Sequence, residues 1–492
     1  MITSRPVSRT FRALMVATAL GLALPSCALF KPERVALRST ALETLPPTPI
    51  SPGQTIPATP GTPGSGPTTV FQPGQQDPAN PGKANYASDE GVTAGTIRIG
   101  TIQPMDGPAA QLGRPLYRTT QAYVNALNAR GGINGRKVEL LLQTACINCE
   151  DENKLAAKAL VEQKHVFAIV NTYMNTYAFS SALKYLNEKR VPLIQGWSGV
   201  GSESQVWGSG QTPWNVYFTV RNGDGVRVFA NWLKKAMTEW KAANQLPGAC
   251  AQNPWKVATV YLDSAQDERR AQEFEKIWES FGAGHEVVSR QAVAAEEETV
   301  TRMDSYVSAM RDADACGVLS ASNITMVFGM QAAKRQGWKV PWVAKSAWGK
   351  AATDNCGSAC DGGFTDNNGW GWAEDLTPQM RQYHQAMDRY YPDSTDDAQT
   401  LGGWVGMMGF EYAAGRLGAD LTRRGLMDVL TNLRNFDTGV AARISTSRTD
   451  HLGIAETTML QICNNRFYRV SKNLSATATP PGSIPSPCGW GY

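Results

Sequence analysis

Apolar strands alternate with amphipathic helices along most of this chain, and this alternation constrains the fold more than any other feature. The range 96–102 is typical of a strand, and Leu116, Thr120, Tyr123 and Leu127 then recur at helical spacing. Strands joined through helices pair in parallel, so the pattern predicts a parallel sheet with helices on both faces. The series continues with predicted strands at 137–143, 166–170 and 191–194 and predicted helices at 152–163 and 178–189.

A second series of the same kind follows a predicted strand at 216–220. The chain has 492 residues, and the stretch from about 95 to 472 is long enough for two domains. We therefore predict an α/β fold of two doubly wound parallel-sheet lobes. The second series has predicted strands at 257–262, 286–289, 317–321 and 340–344, a mostly helical region at 376–433, and closing strands at 457–462 and 467–470.

The N-terminus has the pattern of a bacterial lipoprotein signal. Three arginines precede an apolar run at 13–24 that is too short to span a bilayer, and the run ends in Leu-Pro-Ser-Cys. In this pattern residues 1–26 are removed and the Cys27 thiol carries the lipid. The alternative is an ordinary secretory signal that ends near a cysteine, and either interpretation places the protein outside the cytoplasm.

Two further regions lack the composition of a folded domain. Residues 27–94 are rich in Pro, Gly and Thr, which predicts a disordered tether, and 474–492 form a Pro-rich tail. The net charge of +4, from 47 basic and 43 acidic residues, argues against a nucleic-acid partner. No stretch after Cys27 is long and apolar enough to span a membrane, so contact with the membrane is expected through the lipid anchor only.

The chain contains nine cysteines, and setting Cys27 aside leaves an even number for disulfides in an oxidising compartment. Connectivity does not follow from sequence, but proximity favours Cys146–Cys149, Cys356–Cys360 and Cys463–Cys488. Cys250 and Cys316 remain, and each lies at or just before the start of an apolar strand. Parallel neighbouring strands would bring these two cysteines together.

The segment 97–143 carries a resemblance to a known family. It is similar to the opening of leucine/isoleucine/valine-binding proteins, in which a strand, a small-residue loop and a helix lead into Asn-x-x-Gly-Gly-Ile-Asn-Gly; here that motif spans 128–135. "VPLIQGWSG", "VYFTVRNGDG", "VATVYLDSA" and "AKRQGWKVPWVAKSAWG" follow in the family's order. These type I periplasmic binding proteins serve ABC importers.

The resemblance covers about 95–470 and implies two lobes that close over a ligand in the cleft between them. It assigns 95–220 plus 365–437 to the first lobe and 221–364 plus 438–473 to the second. It also implies a small-molecule solute and ABC permease subunits as partners, with no cofactor. Ligands of open parallel sheets bind beyond the carboxyl ends of the strands, which agrees with a cleft site.

Candidate ligand residues of the first lobe lie in the loops after three strands. Each has a structural alternative: a helix cap for the acid after the first strand and for the polar pair after the third, and a packing role for the tryptophan after the fourth. The carboxylate after the first strand departs from the family's hydroxyl. The candidates are Asp106 and Gly107, Asn175 and Thr176, and Trp197 and Ser198.

In the second lobe, Ser322 and Asn323 fall where the family often has an aromatic ligand contact. Ser346 falls near the family's acidic residue for the ligand's amino group, and Trp348 follows it. The segment 345–348 contains no acid, which argues against an α-amino acid ligand, and Lys345 would suit an anion. An amino acid, an amide and a carboxylate all remain compatible.

The sequence does not favour an enzyme or a metal protein. Residues 196–200 only loosely resemble a nucleophile elbow, and no histidine is tied by motif to Ser198. Neither a Gly-x-Gly-x-x-Gly after the first strand nor a cluster with zinc spacing is present. The pair Cys146 and Cys149 could be a redox pair, but a structural disulfide is favoured. We expect an importer's solute-binding lipoprotein; the alternative is a sensory or scaffolding lipoprotein.

Overall fold

Two sheets, one in each lobe, organise the computed structural model of the chain: the first is wholly parallel, and the second is parallel except for its last two strands. This arrangement confirms the predicted α/β class with two lobes. The structure describes residues 69–72, 78–106, 110–146, 149–173, 179–196, 213–220, 222–246, 248–294, 298, 301–344, 354–367, 377–394 and 398–476.

The first sheet contains six strands, and every neighbouring pair in it is parallel. The short inner strands are wholly buried, because helices cover both faces. Its strands are β1 (Thr96–Gln103), β2 (Lys137–Thr144), β3 (Ala168–Val170), β4 (Leu193–Gln195), β5 (Asn215–Val220) and β11 (Leu452–Ile454). Their order across the sheet is β11-β5-β4-β3-β1-β2.

Helices pack on the two faces of this sheet in separate apolar clusters. The face predicted from Leu116, Thr120, Tyr123 and Leu127 is buried, with each residue no more than 2% exposed. The helices are α1 (Ala110–Ala129), α2 (Glu150–Lys158, continued by a π turn at Ala159–Gln163), α3 (Ser180–Glu188), α8 (Pro378–Tyr390), α9 (Ala398–Leu417) and α10 (Arg423–Leu430).

The second sheet contains seven strands. They are β6 (Lys256–Leu262), β7 (Glu286–Val293), β8 (Val318–Ser320), β9 (Trp342–Ala344), β10 (Phe364–Asp366), β13 (Met459–Cys463) and β14 (Arg466–Arg469). Their order across the sheet is β14-β13-β10-β9-β8-β6-β7. The pairs among β6 to β10 are parallel, whereas β13 and β14 are antiparallel to their neighbours. The helices of this lobe are α4 (Asn222–Ala242), α5 (Ala265–Glu279), α6 (Met303–Asp312) and α7 (Asn323–Arg335).

Among the described elements, the chain passes between the two sheets three times, after β5, after β10 and after β11. The last crossing falls later than the expected boundary at 437/438, because β11 pairs with β5 in the first sheet. The second and third crossings are joined side by side. Thr457 Oγ1 donates to Asp366 Oδ2 at 3.0 Å, and Thr458 N donates to Asn367 Oδ1 at 3.2 Å.

The last part of the expected tether is ordered on the first lobe, as a segment that we call the strap (69–72 and 78–95). Phe71 and Val92 are 3% and 2% exposed, and Phe71 N donates to Asp437 O at 2.8 Å. Asp420 accepts hydrogen bonds from strap side chains, Lys83 Nζ and Tyr86 Oη among them. The composition argument overlooked these few bulky and polar anchors within a Pro/Gly-rich stretch. The first residues of the expected tail also form structure, because β15 (Leu474–Ser475) pairs with β12 (Glu456–Thr457).

Three disulfides lie within the described residues: Cys146–Cys149, Cys250–Cys316 and Cys356–Cys360. The second connects the starts of β6 and β8, which are parallel neighbours, over a Cα–Cα distance of 5.5 Å. Cys463 is also disulfide-bonded, and its expected partner Cys488 lies outside the described residues. Within the described part of the chain, no helix has both the length and the apolar character needed to cross a membrane.

Candidate functional site

Asn171 is the central polar residue at the carboxyl ends of the first sheet's inner strands. It follows β3 with a left-handed φ of +46°, and it is fully buried. Its Nδ2 donates to Gly403 O at 2.7 Å and to Thr120 Oγ1 at 3.2 Å, and its Oδ1 accepts from Gly196 N at 3.1 Å. One amide side chain therefore fixes the start of the loops after β3 and β4 against α1 and α9.

Two glutamines complete this buried network. Gln195 forms a reciprocal pair with the Thr172 backbone, accepting from Thr172 N at 2.7 Å and donating to Thr172 O at 3.1 Å. Gln103 Nε2 donates to Thr101 Oγ1 at 2.9 Å and to Asn171 O. Because buried polar groups need partners, this network holds the strand ends in one arrangement and supports the loops that follow them.

Glycines of α9 let that helix touch the strand ends directly. A Cβ added at Gly196 would lie 1.6 Å from Gly402 O, and one at Gly406 would lie 2.1 Å from Asn171 Oδ1. Sequence reasoning missed both this contact and the role of Asn171. The available signals are an asparagine directly after a buried strand and the spacing of Gly402, Gly403 and Gly406 in an apolar helix.

The expected first-lobe site lies only partly within the described residues. Asp106 is described there: its side chain is 93% exposed and lies 3.9 Å from Arg114 Nη2. The other candidates of this lobe, Gly107, Asn175, Thr176, Trp197 and Ser198, lie outside the described residues.

Beside Asp106, a pocket of about 190 Å³ opens between the ends of β1 and β2. Its lining includes Met105, Cys146 and Glu152. The sulfurs of Cys146 and Cys149 lie close to the Glu152 carboxylate, in a spacing that could hold a metal ion. The two sulfurs are joined in a disulfide and offer no thiolate, so this group does not fit a metal site.

In the second lobe, Ser322 is the N-cap of α7, and its hydroxyl is engaged within the chain. It is 9% exposed and accepts from Thr325 N at 3.4 Å, with Thr325 Oγ1 at 3.0 Å. Asn323 is the first residue of α7. The candidates Ser346 and Trp348 lie outside the described residues.

A buried ion pair that the sequence analysis did not single out lies at the carboxyl ends of β6 and β8. The Asp267 and Arg270 side chains are 10% and 11% exposed. Arg270 Nη1 donates to Asp267 Oδ1 at 2.9 Å and to Ala321 O at 3.1 Å. Burial raises the pKa of Asp267 to about 6, although the neighbouring guanidinium acts to lower it. The sequence signal was an Asp and an Arg three residues apart in the first turns of the helix after a buried strand.

The comparison with known proteins agrees with this architecture. A family model described as periplasmic binding protein matches residues 96–466, about three quarters of the chain. The chain belongs to this family. Its type I, leucine/isoleucine/valine-binding class is the one that the opening motif at 128–135 indicated.

Two relatives illustrate the similarity to binding proteins for amino acids. Leu/Ile/Val-binding protein homolog 7 of Brucella suis biovar 1 (strain 1330) is 25% identical over 319 residues, which cover 63% of this chain and 74% of the relative. The structure of LivJ, a branched-chain amino acid transporter substrate binding protein from Streptococcus pneumoniae str. Canada MDR_19A in complex with isoleucine, has a TM-score of 0.63 at 17% identity. The aligned region covers 77% of this chain and 99% of LivJ.

A third relative has a different kind of ligand in its description. The fatty acid ABC transporter substrate-binding protein from Thermomonospora curvata has a TM-score of 0.63 at 18% identity, over 81% of this chain and 98% of that protein. Since proteins described for branched-chain amino acids and for fatty acids match equally well, the fold is shared and the ligand must be argued from the site. All three are binding proteins, which agrees with a role in binding rather than catalysis.

Proposed function

We propose that this periplasmic binding protein captures a small solute outside the cytoplasm and delivers it to the permease subunits of an ABC importer. The observation that carries the proposal is the family match over 96–466 on a chain with two parallel-sheet lobes. In such folds the carboxyl ends of the strands bind the ligand, and a cleft between lobes is the usual site for a small molecule.

The organisation of the described strand ends supports a binding role. The Asn171 network and the close packing of α9 hold the first lobe's loops on a rigid base, which reduces the ordering cost of binding. The proposed solute contacts are Asp106, Gly107, Asn175, Thr176, Trp197, Ser198, Ser322, Asn323, Ser346 and Trp348. The proposed solute class is an amino acid, an amide or a carboxylate.

We also propose that the mature protein is anchored to the bacterial cell membrane through a lipid on Cys27. The sequence Leu24-Pro25-Ser26-Cys27 after a short apolar run supports this modification. Cys27→Ala should leave the precursor uncleaved or release the protein from the membrane fraction. Ser308→Ala, on α6, is the control, because it leaves the signal segment and every cysteine unchanged and should remain membrane-bound. Unchanged cleavage and membrane retention of Cys27→Ala would contradict the anchor.

The binding function is tested by a thermal-shift screen of the mature protein against amino acids, amides and carboxylates. A solute that raises the melting temperature should also change tryptophan fluorescence, because closure would bury tryptophan surface. The double variant Asn175→Ala, Ser198→Ala should bind that solute more weakly, whereas Ser308→Ala, on α6, should bind it as tightly as the wild-type protein does. An importer component should also respond to a nutrient-like solute and bind its permease; a protein that responds to no solute and binds another protein would favour the sensory or scaffolding role.

A further inference from the structure

Arg270 lies where a solute would meet the second lobe. It belongs to the helix that directly follows β6, and it donates to Ala321 O, just beyond the end of β8. β6 and β8 are parallel neighbours in the second sheet. The carboxyl ends of adjacent parallel strands line the ligand site in open α/β sheets, so the guanidinium belongs to the cleft side of this lobe.

One edge of the Arg270 guanidinium has no partner. Nη1 makes both of its hydrogen bonds, to Asp267 and to Ala321. Nε is buried without a hydrogen-bond partner, and both of the hydrogen bonds that Arg270 donates within the described part of the chain come from Nη1. Nε and Nη2 together form the fork that binds a carboxylate through two parallel hydrogen bonds. A buried donor without a partner is costly, so the buried Nε calls for an acceptor that the described residues do not supply.

The buried arginines of the first lobe show what a purely structural guanidinium looks like in this chain. Arg136 uses Nε, Nη1 and Nη2 on four carbonyl oxygens, at 2.8 to 3.2 Å. Arg423 donates from Nε and Nη2 to the carbonyls of Phe167 and Val166, and its Nη1 lies 3.3 Å from Glu90 Oε2. Both arginines use all three nitrogens, whereas Arg270 uses one.

We propose that Arg270 binds a carboxylate of the solute through its Nε and Nη2 edge, with Asp267 holding the guanidinium in place from the opposite side. This inference rests on the proposed solute-binding function and narrows its ligand to acids. The negative charge of Asp267 beside the site disfavours a doubly charged group, so the expected partner is a singly charged carboxylate rather than a phosphate dianion. The Arg270 side chain as a whole is 11% exposed, and low exposure strengthens a charge-assisted hydrogen bond to such a group.

The test compares each acid with its neutral amide on the mature full-length protein. The probes are butyrate against butyramide and benzoate against benzamide, measured by calorimetry, because each amide lacks the carboxylate of its acid. The wild-type protein should prefer the acid of at least one pair. Arg270→Gln should lower the affinity for that acid by about tenfold or more and leave the affinity for the amide nearly unchanged.

Three further variants separate recognition from stability. Arg290→Gln removes the Arg290–Glu275 ion pair, which involves the same helix α5 but lies away from the strand ends, and should leave acid binding unchanged. Asp267→Asn removes a neighbouring negative charge and should retain or tighten acid binding. Arg270→Lys keeps the charge but not the fork; should Arg270→Gln fail to fold, the lysine variant must still lose most of the preference for the acid over the amide.

The remaining outcomes overturn the inference. If the acid binds Arg270→Gln and Arg290→Gln equally well, or if Asp267→Asn loses acid binding as severely as Arg270→Gln, the pair is only structural and the proposed solute-binding function still stands. The same holds if the wild-type protein binds the neutral amide at least as tightly as the acid in both pairs. If it binds none of these solutes and none in the wider thermal-shift screen, the proposed function fails together with the inference.

Discussion

The two lobes share one architecture but are held together by different chemistry. The second lobe contains the Cys250–Cys316 and Cys356–Cys360 disulfides and the disulfide-bonded Cys463. In the described part of the first lobe, the Cys146–Cys149 disulfide closes only a short loop. Long-range connections there are hydrogen bonds from buried charges and from the strap.

Arg136 illustrates how a side chain replaces a covalent cross-link. It is fully buried, and its four hydrogen bonds join the residue before β2 to the strap at Thr93 and Tyr86 and to the turn at Gly418 and Ala419. A guanidinium can do this because its planar donors reach several carbonyls at once. The comparison shows that the same fold can be stabilised by covalent bonds in one lobe and by saturated polar contacts in the other.

The largest effect should come from the disulfide that spans the longest segment. The double variant Cys250→Ser, Cys316→Ser removes a disulfide between cysteines 66 residues apart. The loop-entropy model gives a decrease of about 4 kcal/mol in the free energy of unfolding, mainly in the second lobe. Cys146→Ser with Cys149→Ser opens a separation of 3 and should cost less than half as much. Urea unfolding with hydrogen exchange measures both; equal losses in the two double variants would contradict the contrast between the lobes.

Arg136→Met should destabilise the first lobe by about 3 kcal/mol, because it leaves several buried carbonyl oxygens without donors. Arg389→Met, at an exposed position of α8 in the same lobe, is the control and should change stability by less than about 0.5 kcal/mol. Hydrogen exchange should show the loss in the strap and β2 first. A loss that appears first in the second sheet would mean that the lobes do not unfold separately.

Acidification should shift the two lobes in opposite directions. Burial lowers the pKa of His451 in the first lobe, so below about pH 6.5 the unfolded chain takes up a proton that the folded chain resists, and this lobe loses stability. Asp267 in the second lobe has a pKa raised to about 6 from 3.8, so the folded chain takes up a proton first and this lobe gains stability as the pH falls through that window.

Hydrogen exchange at pH 7 and pH 5, corrected for the intrinsic exchange rates, checks these signs. His451→Gln should remove the first-lobe loss, and Asp267→Asn should remove the second-lobe gain. Parallel changes in both lobes of the wild-type protein, unaffected by the variants, would show that other groups control the pH dependence.

The smallest effect is expected at Asp420, where the ion pair with Lys83 is about half exposed. Hydrogen bonds from Lys83 and Tyr86 lower the pKa of Asp420. Asp420→Asn should therefore weaken the attachment of the strap to the first lobe, without leaving a cavity or an unpaired group in the core. Limited proteolysis should cut the strap faster, with the global melting temperature nearly unchanged. Asp428→Asn, another half-exposed acid of this lobe, is the matched control, and equal cleavage in both variants would argue against a specific role for Asp420.

Periodicity predicted the sheets because their strands are continuous apolar runs and their helices have clear buried faces. It missed β10 and β11, which are three-residue strands whose pairing depends on partners far along the chain. The strand ends could be located as the candidate site, but the roles of Asn171 and Arg270 could not. Those roles depend on which donors and acceptors remain unpaired after folding, and spacing along the sequence does not contain that information.

The hydrogen bonds between Asp366 and Thr457 and between Asn367 and Thr458 have a mechanical consequence. Two of the three passages between the sheets are hydrogen-bonded to each other where they meet the second sheet. We expect such a paired connection to resist twisting of one lobe against the other more than a single strand would. We therefore expect bending to be the easier relative motion of the two lobes, and twisting of one lobe against the other to be the harder one.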